Sequence, residues 1–186
     1  MKRWEFTGEE KVKYGVSLRR IRAAFAFTLK CGIKIEAGEN GGWIEKEENL
    51  SGNAWVSGDA QVYGNAWVSE NARVSENARV YGNARVYGNA WVSGNARVYG
   101  NACVYGNAHC FQIGPAGSRN DYTTFTRDKQ GTIYVSCGCF YGTINEFREK
   151  VKETHGKNKH AMVYLAAADL AELQIDTTPI VEVQNG

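Results

Sequence analysis

Gly52-Asn53-Ala54-Trp55-Val56-Ser57 is one hexad of a run that fills the middle of the chain, repeated closely as Gly82-Asn83-Ala84-Arg85-Val86-Tyr87. The aliphatic position falls at Ile44, Leu50, Val56, Val62, Val68, Val74, Val80, Val86, Val92, Val98 and Val104, and Cys110 takes the last place. A short fixed period makes each repeat one structural unit that buries its apolar face only against its neighbours. Within a hexad, Ala-x-Val alternates, so both apolar side chains of a very short strand point the same way. Gly-Asn supplies the turn, because both residues tolerate positive φ. Three such sides close a triangle of eighteen residues. Coils then stack about 4.8 Å apart through parallel backbone hydrogen bonds, and the run makes about four of them.

With the valines inside, the flanking positions point outward and stack every eighteen residues. One face carries Trp55, Arg73, Trp91 and His109, a second Gln61, Arg79 and Arg97, and the third Trp67, Arg85 and Cys103. Tyr63, Tyr81 and Tyr99 form a column after the valine. Neighbouring Trp and Arg rungs stack as cation–π pairs worth about 0.5–1 kcal/mol each when exposed. Exposed aromatic stripes of this size mark an interface. The same wall, with Arg79, Arg97, Tyr81 and Tyr99, also suits a planar anion through stacking and guanidinium contacts.

The Val-Tyr-Gly-Asn-Ala-x pattern resembles the hexapeptide-repeat proteins over residues 42–111. That resemblance implies a left-handed parallel β-helix, and with it a homotrimer with parallel axes and ligands held between subunits. The family's hexad places glycine or a small residue directly after the aliphatic one, whereas here Tyr or Ser stands there and glycine follows. The whole chain also looks like hexapeptide-repeat proteins of phage and prophage type. The acyltransferases of the family use a histidine as general base, a role the resemblance would give to His109.

The chain has 186 residues, a formal charge of +2, 21 glycines and two prolines, which suits a solenoid and gives no charge argument for a nucleic-acid polymer as partner. No apolar run reaches membrane-spanning length. The five cysteines, an odd number behind an N-terminus without a secretory leader, point to reduced thiols in a cytosol, that of an infected bacterial host if the phage resemblance holds. Residues 1–41 read as a helical cap, with Ser17 at a helix N-terminus and Leu18, Ile21, Phe25 and Leu29 as its stripe. Residues 112–176 read as a separate α+β unit. It comprises a hairpin through Asp128-Lys129-Gln130-Gly131, a helix opened by Thr143 and Glu146, and a second helix over about 159–173. Met162, Leu165, Ala166, Leu170 and Leu173 are the expected buried side of that second helix. Residues 177–186 read as a tail.

The loop from Ile113 to Thr124 carries the most suggestive chemistry. Gly117 frees the backbone to approach a ligand. Ser118, Asn120, Thr123 and Thr124 offer polar groups, and Arg119 offers a fork for phosphate or carboxylate. The loop lacks a P-loop lysine, and a plain turn is the alternative reading. Cys137 and Cys139 read as thiols of one strand face, with no metal and no cofactor implied. Together these features point to a non-enzymatic oligomer that holds a small anionic nucleotide-type ligand, a sponge for an immune signalling nucleotide. The alternatives are acyl transfer by His109 and a purely structural or adhesive solenoid.

Overall fold

The computed structural model describes residues 2–180, and the chain divides into two compact units, Met1–Asn107 and Ala108–Gly186. Residues 181–186 of the expected tail lie outside the described residues.

The first unit opens with β1 (Trp4–Lys13), β2 (Val16–Ala23), β3 (Phe27–Thr28), β4 (Lys34–Ile35) and β5 (Asn40–Ile44). The helix expected from Ser17 is therefore a strand. Tyr14 and Gly15, at φ 56° and 76°, turn β1 back onto β2 as a tight hairpin. Leu18 and Ile21 are both fully buried although three residues apart, and the β2–β5 register shifts between Arg20 and Arg22. That irregularity imitates the spacing of a helical stripe, which is why the sequence misleads there.

Nine two-residue strands follow, β6 (Trp55–Val56), β7 (Gln61–Val62), β8 (Trp67–Val68), β9 (Arg73–Val74), β10 (Arg79–Val80), β11 (Arg85–Val86), β12 (Trp91–Val92), β13 (Arg97–Val98) and β14 (Cys103–Val104). They pair in parallel as β5-β7-β10-β13, β6-β9-β12 and β8-β11-β14. Every step is eighteen residues, as in Gln61 to Arg79 to Arg97. The result is a β-solenoid of about three turns, against the four expected. Its backbone is paired rung to rung, with Gln61 N–H donating to Ala78 O at 2.9 Å and Tyr63 N–H to Val80 O at 3.0 Å. The hexad valines, and the alanines from Ala54 to Ala102, are buried as expected, while Ala108 of the last hexad is exposed.

The corners explain the glycines. Gly64 and Gly82 sit at φ 69° and 70°, and a Cβ at Gly64 would stand 3.3 Å from the backbone N of Gly82 on the next coil. Glu70 and Glu76 take the same left-handed conformation at φ 57° and 61° without that freedom. Corner asparagines link coils as well, Asn65 Nδ2 to Asn83 Oδ1 at 3.3 Å and Asn83 Nδ2 to Asn101 Oδ1 at 3.4 Å.

The outer columns mostly form. Tyr63, Tyr81 and Tyr99 stack with centroids 5.0 and 4.6 Å apart, and Tyr14 caps the column at 6.4 Å. Trp55 departs from expectation and is fully buried, because Phe27 of β3 packs edge-on against it at 5.4 Å.

In the second unit, β15 (Cys110–Ala116), β16 (Asp121–Arg127), β17 (Ile133–Cys137) and β18 (Phe140–Thr143) form an antiparallel meander, followed by α1 (Ile144–His155) and α2 (Lys159–Gln174). Cys110 thus opens an antiparallel strand instead of closing a coil. The expected hairpin is the β16–β17 pair, and Thr143 with Glu146 does form the capping box of α1. Cys139 lies in the turn beyond β17, off the strand face it was expected to share.

The expected face of α2 is overturned. Ala161, Tyr164, Ala167, Ala168 and Ala171 are buried, while Met162, Leu170 and Leu173 are 68%, 50% and 85% exposed. The helix is apolar on several sides, so period alone does not choose its face. The alanine side allows close approach to the core, and Arg148 of α1 fixes the rotation through Asp169 at 2.7 Å and Glu172 at 2.8 Å. The start of the expected tail is also held. Arg127 is fully buried and donates from Nη1 to Asp176 O at 2.9 Å and Thr178 O at 2.6 Å.

Candidate functional site

The second unit contains a cavity of about 520 Å³ built by three elements. The turn between β15 and β16 contributes Ser118 and Arg119, and the β17–β18 turn contributes Cys137, Cys139 and Phe140. From α1 come Phe147, Val151 and His155 on one side with Lys150 and Thr154 beside them, and α2 adds Tyr164. Spacings of three and four residues bring these α1 side chains to one face.

Glycine at two turns makes the close approach possible. Gly117 is at φ 71°, and a Cβ there would run into the Tyr164 ring, so the loop backbone lies against that ring. Gly138 is at φ 60°, and a Cβ there would stand 3.0 Å from Arg119 Nη1, so the guanidinium lies over the β17–β18 turn. Arg119 makes no ion pair among the described residues, and its one polar neighbour is Cys139 Sγ at a long 3.9 Å. Lys150 pairs with Glu153 at 2.8 Å, and the His155 ring tilts against Tyr164 at 5.6 Å.

Phe140, Phe147, Val151 and Tyr164 make the wall apolar, while Arg119, Lys150 and His155 bring basic groups, and among the described residues no acidic one lines the cavity. Its size lies within the usual range of small-molecule sites, and the mix of aromatic wall and few polar groups is the usual one. The arrangement can hold a molecule with one flat apolar part and one anionic part. Among the described residues no cluster of His, Cys, Asp and Glu could hold a metal ion.

The expected site residues divide sharply. Ser118 and Arg119 line this cavity, and Gly117 does not line it but lies against the Tyr164 ring that does. Asn120 completes the turn at φ 48° and does not line it. Thr123 and Thr124 do not line the cavity: both are buried in β16, and Thr123 Oγ1 lies 3.2 Å from Cys137 Sγ. Arg79, Arg97, Tyr81 and Tyr99 belong to the other unit. There Arg79 lies over the Tyr14 ring at 5.1 Å, and burial, then the adjacent tyrosines, push the Tyr81 hydroxyl up to about 12.

His109 is the alternative candidate, as a general base. It is buried, and it lines no part of the cavity. Desolvation first, then the Arg127 charge, lower its pKa, against an opposing pull from Asp176. Burial likewise pushes the neighbouring Cys110 thiol up to about 12, far from a nucleophile. Sequence reasoning missed Lys150, Phe147 and Tyr164. The signal for them was the Phe147-Val151-His155 spacing on α1, which reads equally well as an ordinary core stripe.

The model of the YdcK beta-solenoid repeat family matches residues 60–76, 78–94, 90–106 and 96–109. No curated protein matches the chain. Among the described residues no helix is long and apolar enough to cross a membrane. The coils are similar to the YdcK beta-solenoid repeat, and the chain is a β-solenoid repeat protein that also carries an α+β unit with its own cavity.

Proposed function

We propose that the protein is a non-enzymatic binder of a small anionic, nucleotide-type ligand, held in the cavity of the second unit. The observation that carries this reading is Arg119, a guanidinium without an ion pair among the described residues, beside an aromatic-walled space that also receives Lys150 and His155. Phe140 stacks on the base, and Arg119 with Ser118 takes phosphate oxygens. A space of about 520 Å³ suits a mononucleotide-sized molecule. The resemblance to phage hexapeptide-repeat proteins supports the finer parts of the reading: a left-handed coil, assembly as a trimer, and capture of an immune signalling nucleotide in the cytosol of an infected bacterium.

The test is calorimetric titration of the full chain with cyclic nucleotides, ADP-ribose derivatives and acyl-CoA. One of the nucleotides binds and is recovered chemically intact. Arg119→Ala weakens that binding by more than about tenfold, since a desolvated charged contact is worth roughly 2–5 kcal/mol. The melting temperature without ligand stays unchanged. Equal binding by Arg119→Ala, or a ligand consumed with turnover, overturns the proposal.

A further inference from the structure

Two cations without an ion pair among the described residues stand in the first unit, far along the sequence from the cavity above. Trp55, Arg73 and Trp91 occupy successive rungs of one face. Phe27 of β3 closes over Trp55, and the loop that follows places Leu29, Lys30 and Cys31 along the next two rungs. Between this loop and the coils lies a cavity of about 200 Å³, lined on the coil side by Arg73, Trp91 and corner asparagines.

Arg73 is the informative residue. Its Nε is buried with no hydrogen-bond partner. Its guanidinium makes no ion pair among the described residues and rests 5.0 Å from the centroid of the Trp91 ring. A buried N–H without an acceptor is costly to keep, which asks for a ligand oxygen. Lys30 adds a second cation without an ion pair among the described residues, none of whose Asp or Glu side chains lines the cavity. The indole is held in place, with its N–H on Ser75 Oγ at 3.0 Å and the Trp91 backbone N–H on Asn107 Oδ1 at 2.8 Å. It is nonetheless 49% exposed.

The geometry points to a binding site for a small planar carboxylate, a one-ring aromatic acid, with its carboxylate on Arg73 and Lys30 and its ring against Trp91. A guanidinium fork matches two carboxylate oxygens, which a lysine alone does not. Ring stacking uses the exposed part of the indole. At roughly 30 Å³ per water the space equals about seven waters, enough for a single ring and too little for a nucleotide. The ligand class thus differs from that proposed for the second unit, and neither site depends on the other.

Benzoate is the probe, titrated against the full chain by calorimetry and followed through tryptophan fluorescence. Saturable binding is expected with a Kd on the order of 0.1–1 mM, ordinary for so few atoms. Benzamide, the neutral analogue, binds at least tenfold more weakly. Arg73→Gln also costs at least tenfold, and Lys30→Gln, on an exposed loop that puts no fold at risk, about threefold. Arg119→Ala leaves benzoate binding unchanged, which separates failure here from failure of the nucleotide reading. If Arg73→Gln does not fold, the benzamide and Lys30→Gln arms decide. Absence of saturation, equal affinity for benzamide, or full affinity in Lys30→Gln overturns the site.

Discussion

Val80 and Phe147 are both buried, but the cores around them are built in opposite ways. In the coils, Val62, Val80 and Val98 repeat one shape at one spacing, and each rung meets only the rungs beside it. In the second unit, Phe125, Phe147, Phe140 and Tyr164 meet at centroid distances of 5.5–6.0 Å and at interplanar angles between 52° and 88°. Identical small residues tile without gaps and leave their variety for the outside. Rings of fixed shape meeting at steep angles leave a space that a loop such as Gly117–Asn120 can border. The solenoid therefore presents columns, against which only an added loop frames a small cavity, and the α+β unit builds a larger cavity from its own core rings.

The contrast can be broken hardest at Val80. Val80→Asp places an unpaired charge in a fully buried valine column, and more than about 4 kcal/mol is lost. The coils should unfold, read as loss of the near-ultraviolet dichroism of the tyrosine column. A folded, soluble variant would show that the interior is not the sealed stack described. Phe147→Ala is next, at about 3–5 kcal/mol, because it removes a ring that touches Phe125, Phe140 and Tyr164. If the cavity is a product of those rings, this variant also loses nucleotide binding; intact binding would detach the cavity from the aromatic core.

Smaller effects sharpen the picture of the corners. Glu76 is exposed in a left-handed conformation that other corners give to glycine, so Glu76→Gly should stabilise by about 0.5–1 kcal/mol. Glu70→Gly should not, because Glu70 Oε2 accepts from Gly88 N–H at 3.1 Å and that bond is lost. Thermal melts of the pair measure the difference, and equal gains would deny the bond any role.

The smallest effect belongs to His109 in the second unit. Its folded pKa is lowered, so the unfolded chain takes up the proton first as pH falls. This site's contribution is complete above the unfolded value near 6.5 and is lost as pH falls from there toward the lowered folded value. His109→Gln should flatten the decline of stability in denaturant titrations below pH 6.5, and an unchanged slope would assign it elsewhere.

The coils were legible because Val and Ala at fixed spacing leave one way to bury both. The N-terminal strands were not, since Leu18 and Ile21 carry a helical spacing that a register shift produces in a sheet. Arg119 was legible as a charge in a glycine loop, and Ser118 came with it. The burial of Thr123 and Thr124 was not legible, because a hydroxyl in a β-former is as much at home inside a strand as beside a ligand. Lys150 and Tyr164 were invisible, since only the packing of α1 and α2 brings them to the same cavity as Arg119.

The eighteen-residue step has a genetic consequence. A duplication of eighteen residues in the coding sequence would set tyrosine over tyrosine and asparagine over asparagine, and lengthen the coil by one rung. A duplication of one hexad would leave every valine inside but rotate all later residues to the next face. Slippage between the repeats can therefore rewrite the surface of this protein in a single event, while selection on its interior detects no change.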